Sequence, residues 1–246
     1  MEPAEYRIMS QVEDTHWWFL GLRHLTLQSI CRYAIGTKSS ILDAGCGTGG
    51  LLRFISAQSR SHRLVGIDIS RIALDLLRSA GKPSVACASV EKLPFRSQSF
   101  DVVTSLDVLY TRGIDAHWAA REFFHVLKPG GLLIVNLPAF EFIRSTHDKA
   151  IRTGHRYQKR EVVTLLEGAG FSVTIATYWN TFLFPIICLI RLLRSRDTCR
   201  QHSSDVKATP SALNYLLLQI LRLENRLVAS LPLPFGTSVF CIAQKQ

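Results

Sequence analysis

Ile41-Leu-Asp-Ala-Gly-Cys-Gly-Thr-Gly-Gly50 places four glycines within six residues, between an apolar run and an amphipathic one. Glycine lets a chain turn sharply and bring its amide N–H groups close to a ligand without a Cβ in the way. The stretch therefore reads as strand, ligand-binding turn and helix start. Outward from it the same alternation continues. Candidate strands are Ser40–Asp43, Leu64–Asp68, Ser84–Cys87, Asp101–Leu106 and Leu132–Leu137, with candidate helices at Gly49–Gln58, Ile72–Ser79 and Asp115–Leu127. Asp115 reads as an N-cap, and Lys128-Pro-Gly-Gly131 as the stop of the third helix. Short apolar runs spaced by helix-length stretches predict βαβ units and a parallel sheet covered on both faces. Beyond them, a helix over Lys159–Glu167 leads through Gly168-Ala-Gly170 into a strand, Phe171–Tyr178, and a last strand covers Ser238–Ala243.

The turn also fits GxGxxG through Gly45, Gly47 and Gly50, which admits a nicotinamide dinucleotide. Asp43, two residues before the first glycine, weighs against it. A carboxylate there would face a pyrophosphate and repel it. It suits a ligand with a cation at that point, and S-adenosylmethionine carries an ammonium and a sulfonium and no phosphate. Asp68, at the end of the next strand, is placed to accept hydrogen bonds from a ribose diol.

The segment from Ser39 to Leu137 resembles class I S-adenosylmethionine-dependent methyltransferases of the broad small-molecule kind called methyltransferase type 11. The matching stretches are DAGCGTG (43–49), GIDIS (66–70), EKLPFRSQSFDVV (91–103), SLDVLY (105–110) and VLKPGGLLIVN (126–136). The resemblance implies a doubly wound, mostly parallel seven-stranded sheet, Rossmann-like, with its last strand antiparallel. It implies that Asp43, Gly45, Gly47 and Gly49 line the methionine part of the cofactor with Cys46 in the same loop. Asp68 would take the ribose hydroxyls and Ile69 would pack on the adenine. Where the family holds the adenine amino group with an aspartate, this chain has Ser89, followed by Val90.

The ends resemble a narrower bacterial subgroup opening with HWWFxGRR. Here the stretch is His16-Trp17-Trp18-Phe19-Leu20-Gly21-Leu22-Arg23, with Leu22 in place of the first arginine. STHD (145–148), HRY (155–157), YWNTFLFP (178–185) and LPFG (233–236) fit the same subgroup. Its members accompany polysaccharide, lipid-linked sugar or secondary-metabolite pathways, which suggests the acceptor class. The expected organisation is an N-terminal cap (1–38), a cofactor-binding core (39–180), a helical insertion (181–236) and the final strand of the core sheet (237–246).

The insertion carries the most apolar run, Thr181–Ile190, followed by Arg191, Arg194 and Arg196. The run is about half the 18–20 apolar residues a spanning helix requires, and it contains Pro185. It reads either as a buried lid or as an interfacial segment meeting lipid or a lipid-linked substrate, with the arginines on phosphates. A second helix, Ser211–Ser230, repeats Leu213, Leu216, Leu217, Ile220, Leu221, Leu223 and Leu227 at helical spacing, which reads as core contact.

The chain has 246 residues, 29 Lys+Arg against 19 Asp+Glu, a formal charge of +10 and 47% hydrophobic residues. That supports one well-cored domain with additions. Residues 144–207 alone hold 11 Lys/Arg and 5 Asp/Glu. The charge suits an anionic membrane surface or ligand. Nucleic acid is not expected, because aromatics are not interleaved with the basic residues as a stacking platform requires. The six cysteines show no CxxC and no paired Cys/His cluster, so neither a metal site nor a disulfide framework is expected. The N-terminus shows no apolar leader, giving a cytoplasmic expectation, with peripheral contact at the inner face of the membrane.

Methyl transfer is an in-line displacement at carbon. The protein must align the acceptor and, for a hydroxyl, remove its proton. The (D/N)PPY element of amino-methylating enzymes is missing after the fourth strand, which favours an oxygen acceptor without metal. His147 and His155 are the base candidates, with Asp148 orienting either ring. Arg156 and Tyr157 could hold an anionic or hydroxylated acceptor; Trp17 and Trp18 read either as core anchors or as an aromatic lid over cofactor and acceptor, and Arg23 could bind a carboxylate of either. The alternatives are a non-catalytic S-adenosylmethionine-binding protein and a NAD-dependent oxidoreductase.

Overall fold

Alternating inward residues on each strand bury two faces, and the chain covers both. The computed structural model describes residues 2–34, 38–59, 61–80, 84–195, 209–228 and 231–246. Two helices, α1 (Pro3–Val12) and α2 (Trp17–Tyr33), precede the core. There β1 (Ser40–Ala44), α3 (Gly50–Gln58), β2 (Arg63–Asp68), α4 (Arg71–Ala80), β3 (Ser84–Cys87), β4 (Phe100–Leu106), α5 (Ala116–Val126) and β5 (Leu127–Pro138) follow in turn. A short helix α6 (Thr146–Ala150), α7 (Lys159–Gly168), β6 (Phe171–Trp179), α8 (Phe184–Ser195), α9 (Ser211–Val228) and β7 (Ser238–Lys245) complete it.

The strands form one seven-stranded sheet in the order β3-β2-β1-β4-β5-β7-β6. β7 runs antiparallel to both neighbours and the other pairings are parallel. This is the expected Rossmann-like methyltransferase sheet. Chain direction reverses its lateral progress between β1 and β4, and ligands in such sheets bind outside the carboxyl ends of strands at that switch point. Leu42, Val65, Val103, Val135 and Cys241 face α5 and α7, while Ile41, Val102, Ile134, Phe240 and Ile242 face α2, α3 and α9. Asp115 caps α5 as expected, accepting the N–H groups of His117 and Trp118. The Lys-Pro-Gly-Gly stretch does more than stop that helix: α5 ends at Val126, and the stretch lies inside β5.

The leucine stripe expected on the last helix meets the core only in part: Leu221 is fully buried and Leu217, Ile220 and Leu227 are half-buried. Leu213, Leu216 and Leu223 are exposed; the buried face of α9 is Leu218, Leu221, Glu224, Asn225 and Val228. Two polar residues share that face because they have partners there. Asn225 Oδ1 accepts from Trp179 Nε1 at 2.8 Å and its Nδ2 donates to Gly21 O at 2.9 Å. Asn214 ties the start of α9 to the start of α2, accepting from Trp17 N and donating to Thr15 O. The insertion and the N-terminal cap are thus docked together on one face. Residues 196–208, most of the expected polar linker and Arg196 with it, lie outside the described residues, as do Ala229 and Ser230 and the side chain of Arg194.

Candidate functional site

Three neighbouring strands, β2, β1 and β4, run into the same edge of the sheet, and each delivers an aspartate there: Asp68, Asp43 and Asp107. All three line one cavity of about 810 Å³. Asp43 is buried, and Thr104 Oγ1 donates to its Oδ1 at 2.8 Å. Burial pushes its carboxyl up to about 7, with the nearby Asp68 charge adding to the effect and Arg23 opposing it. The glycine turn follows at once. Gly45 has φ +88°, a conformation that favours glycine, and a Cβ there would collide with Val108. Gly45, Cys46, Gly47 and Gly50 form the cavity wall. Gly49, expected to line the ligand, instead faces Leu77 of α4 and caps α3, so its place on that wall is taken by Gly50. Cys46 is buried beside Gly66, and burial raises its thiol well above the ordinary value.

Asp68 accepts from Gly47 N at 2.9 Å and Ser70 N at 2.8 Å, which braces the turn. A carboxylate has about four lone-pair sites; with the Tyr6 hydroxyl as a third donor, about one remains for a ligand. Ile69 is exposed at the cavity rim and Val90 is buried in its wall. Ser89 accepts from Glu91 N at 3.1 Å and also lines the cavity. A buried carboxylate, a second carboxylate at the next strand end and a wall free of side chains fit a ligand carrying a cation and a diol. These are features of S-adenosylmethionine.

The N-terminal helices roof this half. Tyr6 of α1 sits with its hydroxyl against Asp68 and Ser70, and burial raises it to about 12. Met9 approaches Gly47, and Glu13 and Asp14 hold the arginines. Arg23, expected to bind a ligand carboxylate, binds the chain's own. Its Nη2 lies 2.8 Å from Glu13 Oε2 and its Nη1 3.1 Å from Asp14 Oδ1. Arg53 and Thr48 meet the other oxygen of Glu13, at 2.8 and 2.5 Å. Any Cβ at position 50 would strike the Arg23 guanidinium, so Gly50 makes room for this network. Trp18 is half-buried, lines the cavity and packs against Trp179.

On the other side of β1 the cavity continues along the ends of β4, β5 and β7. Asp107 has φ +57°, and Asn136 Nδ2 donates to its two oxygens at 3.0 and 3.1 Å. Burial lifts it to about 7. Tyr110 is also buried in this wall, as is Asn180, whose Oδ1 has no hydrogen-bond partner among the described residues. His147 lines the cavity. Asp148 does not orient a histidine: its Oδ1 accepts from Arg156 Nε at 2.9 Å, and its Oδ2 accepts from Ser145 N, closing the capping box of α6. The same guanidinium donates to Ala139 O at 2.6 Å, so Arg156 is held from two sides where it meets the cavity.

His155 and Tyr157 lie apart. His155 meets Glu161 at 3.4 Å on the outer face, the Tyr157 hydroxyl donates to Leu109 O, and both border a separate shallow pocket beside α5 and α7. From α8, Ile187, Ile190 and Arg191 close the far wall, with Arg112 and Arg152 also lining the cavity. Among the described residues no group of three or more His, Cys, Asp or Glu is arranged for a metal ion, and no helix is long and apolar enough to cross a membrane.

Sequence reasoning missed Asp107, Tyr6, Glu13 and Asn180. For Asp107 a signal was present in its position: it stands at the carboxyl end of a strand, as Asp43 and Asp68 do, just past the last residue of β4. Tyr6 and Glu13 sit on a helix whose place over the sheet depends on contacts distant in sequence.

Residues 42–135 match the family model Methyltransf_11, described as a methyltransferase domain. A Mycolicibacterium smegmatis protein named "Probable S-adenosylmethionine-dependent methyltransferase" is 27% identical over 171 residues, covering 68% of this chain and 64% of that protein. Mouse "Probable tRNA methyltransferase 9B" is 26% identical over 167 residues, 66% of this chain and 34% of that protein. The chain thus spans less than two thirds of the length of these relatives. Among solved structures, the methyltransferase complexed with the Trm112 activator of Haloferax volcanii superposes with a TM-score of 0.62 at 19% identity, covering 98% of this chain and 93% of that one.

Proposed function

We propose that the chain is an S-adenosylmethionine-dependent methyltransferase, as the methyltransferase-domain match over residues 42–135 and the Mycolicibacterium smegmatis relative support, and that it transfers a methyl group to an oxygen of an apolar or lipid-linked acceptor. The observation that carries this reading is the continuity of the cavity. It runs from Asp43 and Asp68, which suit the cofactor's cation and ribose, to Ile187, Ile190 and Arg191 of α8. The outer side of the same helix exposes Ile186 and Leu189, and Phe142 and Phe182 are exposed nearby in sequence and fold. An amphiphile would place its chain along this apolar wall, its anionic group near Arg191, Arg112 and Arg152, and its hydroxyl at the sheet edge. The likeness of the chain's ends to a bacterial subgroup that accompanies lipid-linked sugar pathways supports the same acceptor class. Peripheral contact with an anionic membrane follows from the same apolar and basic surface.

Within this reading Asp43 faces the cofactor's positive charge, Gly45 and Gly47 admit it closely, Asp68 takes the ribose hydroxyls, and Ile69, Ser89 and Val90 border the adenine. Trp18 shuts water out from above. Removing one charged acceptor should cost about 1.5–3 kcal/mol of binding, so Asp68→Ala is expected to weaken S-adenosylhomocysteine roughly 10- to 100-fold by calorimetry. An unchanged affinity would mean the ribose lies elsewhere.

The acceptor class is tested by incubating the protein with methyl-labelled S-adenosylmethionine and a lipid extract, a soluble small-molecule fraction or total tRNA. Label is expected in alkali-stable, butanol-extractable material. Label confined to tRNA would replace this reading with the activity named for the mouse relative. Cofactor binding without transfer to any fraction would mark a binding protein.

A further inference from the structure

Asp107 is a half-buried carboxylate with no ion pair among the described residues. It stands in a left-handed backbone conformation, φ +57°, that costs a residue with a Cβ about 1 kcal/mol or more. The conformation is held in place: Asp107 N donates to Asn136 O at 2.9 Å, and the Asn136 side-chain amide donates to both carboxylate oxygens. Those bonds leave lone pairs on each oxygen, and the carboxylate lines the cavity. A half-buried carboxylate without an ion pair, held in an unfavourable backbone conformation, does nothing evident for the fold, so this arrangement calls for an explanation outside folding.

Its location supplies one. Asp107 follows directly on the end of β4, next to β1 at the switch point, and its neighbour Val108 leans directly on Gly45 of the cofactor turn. The carboxylate therefore stands where the cofactor half of the cavity passes into the acceptor half. Of the histidines considered as bases, His155 lies outside this cavity, and Asp148, which would have oriented His147, is committed to Arg156.

We propose that Asp107 accepts the acceptor's proton during methyl transfer, which makes it a catalytic residue; this rests on the methyl-transfer reading above. The acceptor's hydroxyl oxygen forms a bond to the methyl carbon. The carbon–sulfur bond breaks, and its electron pair stays on the sulfur, which becomes a neutral thioether. The hydroxyl proton passes to a carboxylate oxygen of Asp107 and later to solvent. A carboxylate lifted toward neutrality by burial is a better base than an ordinary one. The groups that act on it are Asn136 on β5, Tyr110 on its own loop, and Arg156, whose charge opposes the lift and is itself tied to Asp148.

Sinefungin probes this without an acceptor, because its amine stands where the transferable methyl would be and presents N–H donors toward the acceptor side. By calorimetry at pH 8 the wild-type protein should bind sinefungin about tenfold or more tightly than S-adenosylhomocysteine, as a charge-assisted hydrogen bond implies. In Asp107→Asn the ratio should fall to within about twofold while S-adenosylhomocysteine affinity stays in place, and Asp107→Glu should restore part of it. In wild-type protein with ¹³C-labelled aspartate, one carboxyl resonance missing from Asp107→Asn should titrate near neutrality and move when sinefungin binds. An unchanged ratio in Asp107→Asn, or an Asp107 resonance that titrates in the ordinary range and ignores sinefungin, overturns the proposal. If neither nucleoside binds the wild-type protein, it is the methyl-transfer reading that fails.

Discussion

Replacing Glu224 with alanine should lower the stability of the folded protein by about 3 kcal/mol, read as a shift of the urea midpoint with the slope unchanged. Glu224 sits on α9 with no exposed surface, yet its role is in another part of the chain. Its Oε1 accepts the N–H of Thr181 and its Oε2 that of Phe182, each at 3.0 Å, and the N–H of Asn180 also points to it. These three residues make the turn from β6 into α8. Asn180 has φ +61° there, so the turn exposes successive backbone donors that no strand or helix can satisfy. One carboxylate closes them. Alanine would leave the donors buried without an acceptor, and each unsatisfied group costs about 1–3 kcal/mol. Glutamine keeps one acceptor oxygen but turns an NH₂ toward an N–H, so Glu224→Gln should fall between the two. A loss below about 0.5 kcal/mol for Glu224→Ala, the range of ordinary surface substitutions, would mean the turn finds other partners. Because this turn also sets the direction of α8, the same variant should disturb the acceptor side more than binding of S-adenosylhomocysteine.

The central strands and the helices between them were legible because each depends on its own residues. Ile41–Ala44 and Val102–Ser105 are buried on both faces, and the glycines of residues 45–49 form the turn that leads into α3. Strand ends differ from expectation where pairing, rather than composition, sets the limit, by a residue or two in most strands and by five at the start of β5. This holds for β7, which continues to Lys245 because Lys245 pairs with Phe171 and its ammonium caps the carbonyls of Phe124 and Leu127. The phase of α9 was legible only in part. A leucine stripe is visible in sequence, but burial of Glu224 and Asn225 depends on donors and acceptors supplied by Gly21, Trp179 and Thr181. The site divides in the same way. Asp43 and Asp68 announce themselves beside a glycine turn, whereas Arg23 reads as a free cation until Glu13 and Asp14 are seen folded against it. His155 shares a short motif with Arg156, but successive residues of an extended segment face opposite ways, and here Arg156 points inward to Asp148 and His155 outward to Glu161.

Affinity for the cofactor's cationic amino-acid part should rise with pH through neutrality, and Asp43 should be the cause. In the ligand-free protein burial lifts this carboxyl from 3.8 to about 7. The native state therefore holds a proton there at a pH where the unfolded chain has lost it. The stability this contributes is full below about pH 4 and is lost as pH rises through 7. A cation needs the ionised form. Below the folded value, binding must expel the proton, so affinity should increase about tenfold per pH unit between 5.5 and 6.5 and level off above about 7.5. S-adenosylhomocysteine is the ligand of choice, since it keeps the ammonium but has no sulfonium to report on Asp107. Methylthioadenosine, with the ribose and no charge, should show a much shallower slope, which measures the share of Asp68, also raised by burial. Calorimetry at pH 6 in two buffers of different ionisation enthalpy should show close to one proton released with S-adenosylhomocysteine. Asp43→Asn should abolish most of this slope and weaken binding, while stabilising the ligand-free protein by about 1 kcal/mol at pH 8, where the wild-type carboxylate must be ionised in a buried site. A flat affinity from pH 5.5 to 8 in the wild-type protein, or an Asp43→Asn variant that keeps the slope, would place the ligand's cation away from Asp43. The favourable direction of both effects from one substitution, stability up and affinity down, is what a carboxylate kept for a ligand rather than for the fold must show.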